Sequence, residues 1–111
     1  MKLSTILIST VLLTATSVAT AGHGDAAAGE AISATCAGCH GKDGNSTIPT
    51  NPSLAGQERT YLAQALKDYR AGKRKNAIMN GFAASLKDDD IANLAAYFSS
   101  QEGKLVMLPV R

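Results

Sequence analysis

The chain has 111 residues, 45% of them hydrophobic but only 5% aromatic, with two Phe, three Tyr, no Trp and a formal charge of +2. That length holds one small domain, and the near-neutral balance, with no basic block interleaved with aromatics, excludes a nucleic-acid partner. So few large side chains make a thin core, and a domain this small calls for a staple.

In chain order, the first segment is an export signal: Lys2 gives a positive start, Leu3 to Leu13 most of an apolar run, and Ala19-Thr20-Ala21 a small-x-small cleavage site. As a membrane anchor, Leu3 to Val18 is broken by Ser and Thr and falls short of the roughly 20 apolar residues a spanning helix needs. The expectation is a cleavable signal peptide over 1–21, a single domain over 22–111, a periplasmic location and no stable membrane anchor. Losing Lys2 lowers the formal charge from +2 to +1.

Asp25 is the expected N-cap of a first helix running through Ala26, Ala27, Ala28, Glu30, Ala31 and Ile32 into the cysteine pair. Gly29 interrupts it at a cost of about 1 kcal/mol against alanine, which asks for a packing reason. At the end of that stretch stands Cys36-Ala37-Gly38-Cys39-His40, the covalent attachment signature for c-type haem. The two thiols add to the two vinyl groups along one porphyrin edge, and His40 is placed to offer an imidazole nitrogen to the iron. A redox-active disulfide wants the first cysteine at a helix start after a strand, whereas this pair ends a helical stretch. A zinc site lacks ligands, since His23 is the only other histidine and there is no third cysteine.

After His40, Gly41-Lys42-Asp43-Gly44-Asn45-Ser46 is turn chemistry, and Pro49 and Pro52 keep the following segment extended. A second helix is expected over about Glu58 to Ala71, with Tyr61, Leu62, Ala65, Leu66 and Tyr69 on one face and Gly72 as the stop. The polar, glycine-containing stretch Asn76 to Phe82, which carries Met79, reads as a loop. A third helix is expected from Asp88 to Ser100 on the spacing of Ile91, Leu94, Ala95 and Phe98, with the acidic run Asp88, Asp89 and Asp90 at its positive end. Nothing alternates like a strand, so the fold class is all-α. The tail from Lys104 to Arg111 is left unassigned.

His40 leaves one axial position of the iron open. Candidates are Met79, Met107, His23, a lysine, or a vacancy for a small ligand. By spacing alone Met79 is as much a gap-filler of the core as a ligand. Near Met79 the sequence offers no second histidine, arginine or acid of the sort peroxide chemistry uses.

These residues carry a resemblance. Gly24 to Gly29, Cys36 to Gly41, Pro52 to Gln57, Tyr61-Leu62, Tyr69 to Gly72 with Arg74, and Asp90 to Phe98, in that order, resemble a class I monohaem c-type cytochrome and also one half of the dihaem cytochromes c. The resemblance implies a small class I cytochrome c fold, three main helices and loops wrapped around one covalently attached haem. It implies Cys36 and Cys39 as covalent attachment points, His40 and Met79 as axial iron ligands, and the Pro52 carbonyl as acceptor for the non-ligating nitrogen of His40. Gly29 then marks a helix crossing where Tyr97 or Phe98 approaches the backbone. The family pattern has Ser or Thr before the last helix where this chain has Lys87, which makes Asp88 the expected cap.

The function implied is a soluble periplasmic electron carrier, with no catalytic residues and with transient redox proteins as donor and acceptor. An iron closed on both sides supports one-electron transfer, and thioether ligation raises the potential. Such encounters use a small docking surface around an exposed haem edge, by a monomer or weak dimer. Arg70, Lys73, Arg74 and Lys75 form a basic cluster that reads either as steering for an acidic partner or as a solvated helix end. The rival class is a haem subunit of a larger dehydrogenase complex, such as a flavocytochrome; an open-iron enzyme or gas binder is the third.

Overall fold

Ile91, Leu94, Ala95 and Phe98 recur at the spacing of one helix face, and in the computed structural model, which describes residues 23–104, they are the centre of the molecule. They belong to the longest of the five helices among the described residues, where no strand occurs. The order is α1 (Ala26–Ile32), α2 (Ala34–His40), α3 (Arg59–Arg70), α4 (Ala77–Ala83) and α5 (Asp88–Ser100). The all-α expectation holds. The export signal (Lys2, Leu3 to Leu13, Ala19 to Ala21) and Met107 lie outside the described residues.

Helix α5 packs against α1 on one side and α3 on the other, and α4 rests on α3. Leu62, Leu94, Ala95, Tyr97 and Phe98 form the buried cluster, with Cys36, Leu54 and Leu66 packed against it. Tyr97 donates its hydroxyl to Lys42 O at 2.9 Å, which ties α5 to the turn after His40. Among the described residues only Ile91 and Leu94 are large side chains fully out of solvent, so the core is as thin as the composition implies.

Three expectations are corrected. The first helix does not run unbroken into the cysteine pair; it divides at Ser33. The Ser33 hydroxyl donates to Glu30 O at 2.9 Å and its own N–H tightens onto the same carbonyl at 3.1 Å, so a side chain competes for the helix ladder and the axis restarts at Ala34. The Met79 stretch is not a loop but the helix α4. Its N-cap Asn76 accepts from Ile78 N and Met79 N, a start signal that outweighs the glycine at Gly81. Asp88 is not the cap of α5. Its carboxylate pairs with Arg70 at 2.6 Å, and the extended Lys87 occupies the cap position, where the Asp90 carboxylate reaches back to accept from Lys87 N at 2.9 Å.

Gly29 has its packing reason at the α1–α5 crossing. A Cβ there would lie 2.8 Å from Tyr97 Cβ and closer still to the Asn93 carbonyl oxygen, while Phe98 approaches Gly44. The same crossing is pinned by Asp25 N donating to Asn93 Oδ1 at 2.7 Å. Gly29→Ala is expected to destabilise the folded protein by about 1–3 kcal/mol through overpacking against backbone that cannot yield. Thermal unfolding of the haem-loaded protein measures it, and an unchanged melting temperature would contradict the close crossing.

Candidate functional site

Helix α2 carries both cysteines and His40, and its C-terminal end is clamped by the extended segment that follows. Asn51 Nδ2 donates to Cys39 O at 3.0 Å, and Ser46 Oγ donates to the same carbonyl at 3.3 Å. The next residue, Pro52, offers its carbonyl 2.7 Å from His40 Nδ1. A ring nitrogen against a carbonyl must carry the hydrogen, so Nδ1 donates and Nε2 is the free lone pair of this buried imidazole. Gly41 lets the chain turn at once after His40, with φ of 87°, in the region that favours glycine.

The two thiols are not bridged to each other. Cys36 is half-buried and packed against the core, while Cys39 is exposed. Because α2 restarts at Ala34, Cys36 is nearer a helix start than one continuous helix would place it. Burial nevertheless pushes the Cys36 thiol up, with a hydrogen bond to Thr35 opposing more weakly. That is the reverse of the lowered thiol that disulfide exchange needs.

Cys36, Cys39, His40 and Pro52 line one cavity together with Met79, which comes from α4. The cavity holds about 260 Å³ and its remaining wall is largely apolar, including Leu62, Leu66, Leu94 and Phe98 from α3 and α5. At its rim Ile78, Tyr61 and Phe82 are 66%, 51% and 49% exposed, a concentration of apolar surface beside a polar donor set. Two unbridged thiols, an imidazole with its outer nitrogen already satisfied, a thioether and an apolar slot between them fit a flat apolar macrocycle carrying a metal.

Not every candidate is brought here. His23 is held elsewhere: Arg59 Nη1 donates to His23 O at 2.9 Å and Nη2 lies 3.1 Å from its Nδ1. It does not line the cavity. Arg74, which the sequence did not place near Met79, does line it. Its guanidinium lies 4.8 Å from the centroid of the Tyr69 ring and donates to Tyr61 Oη at 3.5 Å, and that hydrogen bond pushes its pKa further up. Asn51, Asn76 and Asn80 were also missed by sequence reasoning, and only Asn76, standing before a run of helix formers, carries a legible signal.

A family model described as Cytochrome c matches residues 26–102. Cytochrome c-554(548) of Halomonas halodenitrificans is 52% identical over 82 residues, covering 71% of this chain and 99% of its own length. The solved structure of reduced cytochrome c4 from Pseudomonas stutzeri superposes with a TM-score of 0.70 at 45% identity, covering 74% of this chain and 48% of that one. The chain therefore spans about half the length of that relative. The cytochrome subunit of sulfide dehydrogenase from Chlorobaculum tepidum is 38% identical over 76 residues, 68% of each protein. None of the described helices is long and apolar enough to cross a membrane.

Proposed function

The chain belongs to the cytochrome c family of haem c electron carriers, and from that premise we propose that it is a periplasmic one-electron carrier holding a single haem through Cys36, Cys39, His40 and Met79. The observation that carries this reading is the convergence on one apolar cavity of two unbridged thiols, a buried imidazole and a thioether from separate helices. When bound, haem c supplies an iron that alternates between ferric and ferrous.

The residues have distinct tasks. Cys36 and Cys39 fix the macrocycle by thioether bonds, so it cannot leave when the iron changes charge. His40 offers Nε2 to the iron, while Pro52 O fixes its tautomer and makes the imidazole a stronger donor. Met79 would offer the bound iron its thioether, a soft sulfur that favours the reduced state. Leu62, Leu66, Leu94 and Phe98 exclude water, which again favours the form of lower charge. With His40 and Met79 both engaged by the bound iron, the site would offer no place for substrate, and transfer of an electron would be its chemistry. The cleavable signal over 1–21 leaves the domain over 22–111 on the periplasmic side.

The rim of Ile78 and Phe82 gives redox partners a small apolar contact, suited to brief encounters. Within the basic cluster, Arg70 is engaged by Leu86 O at 2.8 Å and by Asp88, and Arg74 by Tyr69 and Tyr61. Lys73 and Lys75 are thus the members left for steering. Lys73→Glu with Lys75→Glu is expected to slow electron transfer to an acidic partner several-fold at low ionic strength, and the difference should vanish as salt screens it. Equal rates at low salt would remove steering from the account.

A second reading is a haem subunit of a dehydrogenase complex, favoured by the likeness to the cytochrome subunit of sulfide dehydrogenase. Purification from the native periplasm separates the two: a free carrier elutes alone as a monomer or weak dimer, whereas a subunit elutes at fixed stoichiometry with a larger protein.

A further inference from the structure

Asn80, the neighbour of Met79 on α4, turns both donors and the oxygen of its side-chain amide to backbone groups. Its Nδ2 donates to Tyr69 O at 2.6 Å, in the last turn of α3, and to Arg74 O at 2.9 Å, in the connection that follows. Its Oδ1 accepts from Asn76 N at 2.9 Å. Two carbonyls need a donor and one N–H needs an acceptor, so a single orientation of a neutral amide answers all three. A carboxylate would set lone pairs against two carbonyl oxygens, and an apolar side chain would answer none.

The chain of support leads directly to Met79. Asn76, whose N–H Asn80 holds, accepts from Met79 N at 3.0 Å and from Ile78 N at 3.1 Å. Helix α4 has only seven residues, too few to be stable alone, and Ala83 is its one buried residue. Its place relative to the cavity is therefore set by what ties it to α3 and the connection after it, and Asn80 bonds each of them once.

We propose that Asn80 is a positioning residue for Met79: it locks α4 to the end of α3, fixes the reach of the thioether into the cavity, and so governs how often the sulfur leaves the iron. The inference rests on Met79 being the axial ligand, as read above.

The test compares the haem-loaded ferric wild type with Asn80→Ala, Asn80→Asp, Met79→Ala and a control, Asn45→Ala, whose amide ties Glu102 O and Lys104 N instead. Imidazole at saturating concentration displaces the thioether at the rate at which the sulfur dissociates, followed by loss of the far-red sulfur-to-iron absorption. Asn80→Ala is expected to react at least about tenfold faster than wild type, from the loss of three hydrogen bonds, while the Asn45→Ala rate stays within about twofold. Asn80→Asp keeps the acceptor for Asn76 and loses both donors; it too should react faster, and it carries the comparison if the alanine variant does not accumulate. Wild-type rates in every Asn80 variant obtained would overturn the positioning role while leaving ligation by Met79 intact. A far-red band that survives in Met79→Ala would refute the ligation beneath it.

Discussion

Replacing Met79 by alanine is expected to abolish the far-red sulfur-to-iron absorption of the ferric protein and to lower its reduction potential by on the order of 100 mV. That drop corresponds to roughly a fiftyfold loss in preference for the ferrous state, at about 59 mV for each factor of ten in a one-electron equilibrium. The cause is local. A thioether is a soft, weakly basic donor that stabilises ferrous iron, and alanine opens the site to water, which favours the ferric form. The cysteines, His40 and Pro52 lie on other elements, so the variant should still hold its haem. A readout by redox titration and visible spectrum keeps ligation separate from attachment. An unchanged spectrum and potential would make Met79 a packing residue of the cavity wall and nothing more.

The second large effect is expected from removing both thiols. Cys36→Ser with Cys39→Ser should yield a chain without covalently bound haem, recognised by extraction of all haem into acidified organic solvent, and that chain should fail to hold its native helix content. The reason is the thin core. Among the described residues, Ile91 and Leu94 are the large side chains fully withdrawn from solvent, and a small domain with so few of them gains little from its core. The half-buried Leu54, Ala65 and Leu66 and the exposed Tyr61 line the cavity. Filling that slot converts exposed apolar surface into core, at about 25 cal/mol for each Å² covered. Far-ultraviolet circular dichroism across a thermal scan measures the outcome. Native helix content and unchanged melting without haem would show that the polypeptide stands on its own packing.

The site was unevenly legible in the sequence. The cysteine pair with His40 could be read directly, because covalent attachment and ligation demand fixed spacing within one short stretch. Helices α3 and α5 were legible from their apolar period, which survives because each presents one face to the core. The break at Ser33 was not, since a serine mid-helix usually points to water and here bonds Glu30 O instead. Helix α4 was hidden by Asn80 and Gly81, which read as loop until it is seen that the Asn80 amide bonds backbone rather than solvent, although the cap signal of Asn76 was there to be read. Arg74 was read as part of a basic cluster, and its place in the cavity wall depends on stacking against Tyr69, a tertiary contact without a local signature. The approach of Pro52 to His40 likewise spans 12 residues, and only the family resemblance pointed to that carbonyl.

The proposed ligation of iron by His40 and Met79 is tested most directly by the proton spectrum of the reduced, diamagnetic protein with labelled methionine methyl groups. A methyl held over the face of a porphyrin feels the ring current and is displaced far upfield. One such methyl is expected, assigned to Met79 by its absence in Met79→Ala. A spectrum with no displaced methyl, or with one that persists in Met79→Ala, would contradict it.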